Sequence, residues 1–178
     1  MELKEIAACE YSDITEVYQG IFLLEKSGKQ AILQDKEGCP EIVVPFDKYD
    51  FISYLGNYFF KVKKNETYQL LDKNFIEKGV KANNMKFLQE NLFAFQTPAK
   101  WVLFDLVSNK YLHNNGFDSI ETTELPEVFI VKNNDLYGLI DHLGEITLPV
   151  EYDLIKYLNN GYFLIKNTST YIGLVKIS

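Results

Sequence analysis

Apolar residues in this chain fall in short runs, and the runs recur. The stretch DLYGLIDHLGEITLPVEYDLIKYLNNGYFLIK (Asp135 to Lys166) holds four of them, interrupted by HLGE, a proline and NNG. The runs Tyr137–Asp141, Glu145–Pro149, Tyr152–Leu158 and Gly161–Lys166 predict four short strands. Apolar and polar positions alternate most plainly in the last, the period of a half-buried strand. Gly, Asn and Asp between the runs suit turns, because they tolerate left-handed backbone geometry. Asn159-Asn160-Gly161 and Gly56-Asn57 occupy equivalent hairpins, and Pro45 and Pro149 fall where one strand must end. Nowhere does a 3.6-residue apolar period persist for a helix's length without a turn residue breaking it, so no helix is predicted.

Three anchors carry the pattern along the whole chain. The first is an Asp or Asn at positions 13, 50, 84, 118 and 153, in steps of 37, 34, 34 and 35 residues. The second is an aromatic opening an apolar run: Phe22, Phe59, Phe93, Phe129 and Phe163. The third is an apolar stretch ending in Asp35, Asp72, Asp105 and Asp141, with YIGLVK (Tyr171–Lys176) as a fifth copy ending in Lys. One period shared by three anchors identifies a tandem repeat. The spacing predicts an all-β fold of five tandem, roughly 35-residue, four-stranded antiparallel β-meander repeats, forming a single all-β repeat domain over residues 1–178. At the N-terminus Lys4–Cys9 matches Gly144–Pro149, so the chain starts on the second strand of a unit and ends on the first. Pairing Leu3–Ala8 with Tyr171–Ile177 would close a propeller-like ring and remove exposed edges. That complementarity favours the ring slightly over an open β-repeat array, although repeats of this length are short for propeller blades.

Composition narrows the function classes. The net charge is −7 and all 18 basic residues are Lys, so the Arg forks and basic face of nucleic-acid readers are missing. No apolar run approaches the roughly 18 residues of a membrane span, and MELKEIAACEYSD does not read as a secretory signal. The expectation is a cytoplasmic protein that binds neither nucleic acid nor membrane, monomeric, with Cys9 and Cys39 as small apolar fillers in a reducing compartment.

The pattern aromatic-Gly-Leu-Ile-Asp, x-x-Gly, Glu-Ile, Pro, x-x-Tyr-Asp, Gly-aromatic resembles the WG repeat of bacterial proteins. Tyr137-Gly138 stands where that family has Trp-Gly, and Asp141, Gly144, Pro149, Tyr152-Asp153 and Gly161 follow it. Ile172-Gly173 opens the last copy. The resemblance is close over 135–176, fair over 30–62 and degenerate between 66 and 120, where Tyr68-Gln69 and Trp101-Val102 lack the glycine. It implies all-β repeats with non-catalytic roles. From the residues, the glycine would permit close approach where one unit packs on the next. The Tyr-Asp step would place a ring in the inter-unit core and a carboxylate on turn amides.

Candidate chemistry is sparse. His113 and His142 lie beside turns, where exposure is expected, and with Cys9 and Cys39 they do not cluster as zinc ligands do. Asp35, Asp72, Asp105 and Asp141 could line one rim and attract a cation, but no calcium-loop pattern surrounds them. No phosphate loop or nucleophile elbow occurs. No catalytic, cofactor-binding or metal residues are therefore assigned, and no cofactor is expected. Two patches stand out as partner contacts: the acidic stretch from Asp118 through Glu121 and Glu124 to Glu127, and the aromatic run containing Phe95 and Trp101. They point to a non-enzymatic bacterial protein-interaction or scaffold module whose protein partner is basic. A carbohydrate or cell-wall binding module stacking sugars on Tyr and Trp is the alternative. A hydrolase using rim carboxylates is the remotest.

Overall fold

The computed structural model describes residues 9–113, 115–167 and 172–177. Within them every regular element is a β-strand. The first sheet consists of β1 (Asp13–Tyr18), β2 (Ile21–Lys26), β3 (Lys29–Lys36) and β4 (Cys39–Val44). The second is β5 (Phe51–Gly56), β6 (Phe59–Lys64), β7 (Thr67–Leu71) and β8 (Glu77–Ala82). The third is β9 (Asn84–Gln89), β10 (Leu92–Gln96), β11 (Trp101–Asp105) and the two-residue β12 (Lys110–Tyr111). β13 (Ser119–Thr122), β14 (Val128–Asn133), β15 (Leu136–Asp141) and β16 (Ile146–Tyr152) make the fourth. The described part of the fifth is β17 (Leu154–Asn159), β18 (Tyr162–Lys166) and β19 (Ile172–Lys176). Every sheet is an antiparallel meander in chain order.

The phase of the repeat differs from the sequence reading. The stretch 135–166 straddles two sheets: β15 and β16 close the fourth, and β17 and β18 open the fifth. The Tyr-Asp step therefore marks the crossing between sheets, Tyr152 being the last residue of β16. Tyr49, Phe117 and Tyr152 turn the chain from one sheet to the next, and the amides of Asp50, Asp118 and Asp153 bond Lys63, Lys132 and Lys166 carbonyls at 2.8 Å. Residues 1–8, on which ring closure depends, lie outside the described residues, as does Tyr171.

The hairpins explain why so many turns carry polar residues. Ser27-Gly28, Glu37-Gly38, Asn57-Tyr58, Asn65-Glu66, Asn134-Asp135 and Asn160-Gly161 each have both central residues at positive φ. Such paired left-handed residues form the type I′ turn, whose twist matches the strands it joins. Asn and Gly adopt this geometry readily, whereas Tyr58 at φ 65° is a strained choice. The Tyr54 hydroxyl accepts a 3.3 Å bond from its amide.

The chain divides into two compact units, Met1–Asn83 and Asn84–Ser178. In the first, Ile21, Ile32 and Val44 of one sheet pack with Ile52, Phe60, Val62 and Leu71 of the next, and Tyr49 fills the same core at the crossing. The second contains two such layers. Leu92, Ala94 and Leu103 meet Phe117, Ile120, Phe129, Val131 and Ile140 in one. Val128, Leu139 and Leu148 meet Ile155 and Phe163 in the other. The recurrent aromatic of β6, β10, β14 and β18 is buried each time, and only Phe22 of β2 is half-exposed.

The glycine of the Tyr-Gly pair has a different neighbour from the one expected. A Cβ on Gly138 would lie 2.7 Å from Val150 Cγ2 and 2.8 Å from the Leu148 carbonyl oxygen. Both belong to β16 of the same sheet, where the register shifts between Tyr137 and Leu139. The glycine thus accommodates a bulge within its own sheet, not the approach of another repeat.

Candidate functional site

The recurrent carboxylates hold turns. Asp50 Oδ2 accepts the Asn65 amide at 3.1 Å, and Asp118 Oδ2 accepts the Asn134 amide at 2.8 Å. In each case the carboxylate fixes the type I′ turn between the second and third strands of the sheet it precedes. The same hairpins share a second device. Lys63 pairs with Glu66 at 2.7 Å and lies 5.7 Å over the Tyr68 ring; Lys132 pairs with Asp135 at 2.8 Å and lies 5.4 Å over Tyr137. These ion pairs raise both ammonium pKa values above the usual lysine range. The equivalent turn in the fifth sheet falls on residues outside the described set.

Three of the four aspartates of the third anchor, Asp72, Asp105 and Asp141, are turned back on their own hairpins, whereas Asp35 lies within β3 with its buried Oδ1 unpartnered among the described residues. Asp72 Oδ1 accepts the Asn74 and Ile76 amides, and Asp141 Oδ1 accepts those of Leu143 and Glu145 at 2.9 and 2.8 Å. Asp105 accepts the Val107 and Ser108 amides, and its bonds to Ser108 hold its carboxyl below the usual range. These are Asx-type turns. Among the described residues no group of three His, Cys, Asp or Glu side chains is arranged to hold a metal ion.

The two histidines are half-buried, not exposed as their turn positions imply. His113 stacks on the buried Phe117 ring at 4.9 Å and 14°, while His142 Nδ1 stands 3.6 Å from Glu127 Oε2. Cys9 and Cys39 are both free and exposed, so neither fills an apolar gap.

The expected contact residues separate into three groups. Phe95 is 1% exposed and packs between Phe93 and Phe104, so it belongs to the core and offers no surface. Trp101 is half-buried, with the Lys86 ammonium 4.5 Å above its ring. Asp118 is tied by Lys100 Nζ at 2.6 Å as well as by Asn134, and the lysine holds its carboxyl below the ordinary range. Glu121, Glu124 and Glu127 remain, all exposed.

Glu121 lies on β13, and Glu124 and Glu127 lie on the loop between β13 and β14, which is held by its own hydrogen bonds. The Thr123 hydroxyl accepts the Leu125 amide at 3.1 Å and bonds the carbonyls of Leu125 and Val128 at 2.9 and 3.0 Å. Gln89 Oε1 accepts the Glu127 amide at 3.0 Å. Leu125 packs against the core below. Three carboxylates therefore project from a fixed backbone. Among the described residues no salt bridge engages Glu121 or Glu124.

A second surface went unnoticed in the sequence. The inner residues of the fifth sheet, Ile155, Phe163 and Ile165, join the core. Strand register places nine others on the opposite face. Leu154, Lys166 and Ile172 form one cross-strand row, and Lys156, Leu164 and Leu174 the next. Asn159, Tyr162 and Lys176 form the third, with the Lys176 ammonium 5.4 Å from the Tyr162 ring. Ile172 is 68% and Leu174 62% exposed. The signal was present as apolar residues on both alternating sets of β17–β19, where a strand with one solvated face should show them on one.

Residues 137–171 match the family model described as WG containing repeat. That segment runs from β15 across the sheet crossing into the fifth sheet, so the chain is an all-β tandem-repeat protein that carries a repeat of this family. No curated protein matches it in sequence. Among solved structures it is similar to the computationally designed Ika4 protein, at 10% identity over 71% of this chain and 89% of that one, with a TM-score of 0.41. PorZ of Porphyromonas gingivalis, a bacterial surface component of the type-IX secretion system, is similar at 9% identity and a TM-score of 0.45, over 97% of this chain but 29% of that one. The N-terminal domain of Nup159 is similar at 14% identity and a TM-score of 0.42, over 89% and 56% of the two chains. No helix of the described residues is long and apolar enough to cross a membrane.

Proposed function

We propose that the chain is a non-enzymatic protein-interaction module, a repeat scaffold whose loop between β13 and β14 contacts a basic protein. The observation that carries this reading is the acidic edge of the β13–β14 hairpin: Glu121 on β13 and Glu124 and Glu127 on the loop stand exposed, the loop backbone fixed by Thr123 and Gln89. A loop already ordered loses little conformational entropy on binding, and its carboxylates steer an oppositely charged partner. The setting proposed is a reducing bacterial cytoplasm, consistent with two free exposed thiols. An enzymatic role is not proposed, because the recurrent aspartates Asp72, Asp105 and Asp141 are engaged by their own turn amides. The carbohydrate reading is weakened because Tyr68, Tyr137, Tyr162 and Trp101 each carry a lysine over the ring, where a sugar would stack.

The test is affinity capture from bacterial lysate with the natural chain and with Glu121→Lys/Glu124→Lys/Glu127→Lys. The expected result is a basic protein retained by the natural chain, released by moderate salt and lost from the triple variant. Identical capture by both proteins would remove the loop from the interface. Retention on a glycan array without a protein partner would favour the carbohydrate reading instead.

A further inference from the structure

The described residues on the open face of the fifth sheet carry charge of one sign only. Lys156, Lys166 and Lys176 lie on three different strands and in three different cross-strand rows, each beside Leu, Ile or Tyr. Among the described residues no carboxylate shares the face, although the chain as a whole is at −7. Leu154, Ile172 and Leu174 are 40%, 68% and 62% exposed, and a shallow hollow of about 560 Å³ runs between Tyr157, Tyr162 and Leu174. A face this apolar, interrupted only by regularly dispersed lysines, is the composition of an interface and not of a solvated sheet surface.

From this we infer that the face binds an acidic, amphipathic β-strand or sheet of another protein, in which carboxylates alternate with aliphatic side chains. This surface is distinct from the acidic loop and takes a partner of opposite charge. Same-face residues repeat about every 6.6 Å along a strand and about every 4.8 Å across strands, so dispersed lysines are matched by carboxylates at sheet spacing. A second copy meeting face to face would bring lysine against lysine without a compensating acid. An anionic lipid surface fits less well. Lysines dispersed among the Leu and Ile side chains would have to snorkel back to keep their charge in water while those side chains entered the hydrocarbon. The rest of the chain also carries more than the whole net charge of −7, and a negative surface repels it.

The test uses the full chain and a short synthetic peptide of alternating Glu and Val, followed by amide chemical-shift mapping. A Lys–Val peptide and vesicles of equal parts phosphatidylcholine and phosphatidylserine serve as the other arms. The Glu–Val peptide is expected to shift the amides of Leu154, Lys156, Leu164 and Leu174 and to leave those of Glu121 to Glu127 unmoved. Lys156→Glu/Lys166→Glu/Lys176→Glu should weaken it by about tenfold or more and transfer preference to the Lys–Val peptide. The neutral Lys156→Gln/Lys166→Gln/Lys176→Gln protein, which adds no repulsion, should weaken the Glu–Val peptide without gaining the other. Equal binding of the two peptides by the natural chain, no binding of either, or binding insensitive to charge reversal would overturn the inference. So would perturbation of this face by the vesicles and not by the Glu–Val peptide. Loss of the loop contact in the Glu121/Glu124/Glu127 variant would leave this result untouched, so the two readings fail separately.

Discussion

Single residues in this repeat act through the space and hydrogen bonds of their own sheet. Gly138 and Gly173 occupy equivalent places after the opening aromatic or aliphatic, but their surroundings differ. A Cβ on Gly138 meets backbone, the Leu148 carbonyl oxygen at 2.8 Å and Val150 Cα at 2.9 Å, whereas on Gly173 it meets only the movable Ile165 Cγ1 and Cδ1 at 3.1 and 3.3 Å. Gly138→Ala is expected to destabilise by about 2 kcal/mol through overpacking, and Gly173→Ala by well under half as much. Denaturant unfolding of the two variants checks the contrast; equal losses would mean that the bulge in β16 is not what requires glycine. Asp50→Ala removes the carboxylate that holds the Asn65 amide and should cost about 1 kcal/mol. The structural role of the Tyr-Asp carboxylate was legible in the sequence because Asp before a strand has few other uses. The Lys100 pairing of Asp118 was not, since its partner comes from 18 residues away, in the connection before β11.

At the level of strands and loops, the periodic anchors identified the meanders but not their phase. Any four consecutive strands of a continuous meander satisfy the same period, and only packing shows where pairing stops. It stops at the Tyr-Asp step because that ring must enter the core between two sheets, as Tyr49 does beside Ile32 and Ile52. Phe95 shows the limit from the other direction. Its run, LFAFQ, is buried on both faces of β10, and an aromatic within such a run cannot be assigned to core or surface by alternation. The loop between β13 and β14 gives a prediction at this level. Thr123→Val keeps the shape of the side chain and removes its bonds to Leu125 and Val128. Amide exchange at Leu125 should accelerate while the melting temperature falls only slightly, because the loop opens locally. A basic partner should then bind the variant more weakly, although every carboxylate is still present. Unchanged exchange would show that Gln89 and the packing of Leu125 suffice to order the loop.

For the molecule as a whole, the ionisable groups set a window of stability that pH can probe. On the acid side, Glu10, Asp105 and Asp118 all have carboxyls lowered: by Lys26, by Ser108 and by Lys100 respectively. A folded pKa below the unfolded one contributes stability that is complete above the unfolded value, about 4, and is lost as pH falls through the folded value. On the alkaline side, burial raises the Tyr49 phenol, helped by its 2.7 Å bond to Glu77, and burial also raises Tyr18. Ion pairs with Glu66 and Asp135 raise Lys63 and Lys132. Stability from these groups is complete below their unfolded values, near 10, and is lost as pH rises through the folded ones. Lys61, lowered by burial, works in the opposite sense but is one group against four. Deprotonating lysines also drives a chain already at −7 further from neutrality, and self-repulsion adds to the loss. The melting temperature should therefore be level from about pH 5 to about pH 9 and fall on both sides. Asp118→Asn should lie below the natural protein across the plateau and converge with it under acid, because both then lack the charged carboxylate. Thermal scans across pH, read by strand circular dichroism, check both features. A constant offset between the two proteins down to about pH 2 would show that the Lys100 pair contributes through its hydrogen-bond geometry and not through its charge.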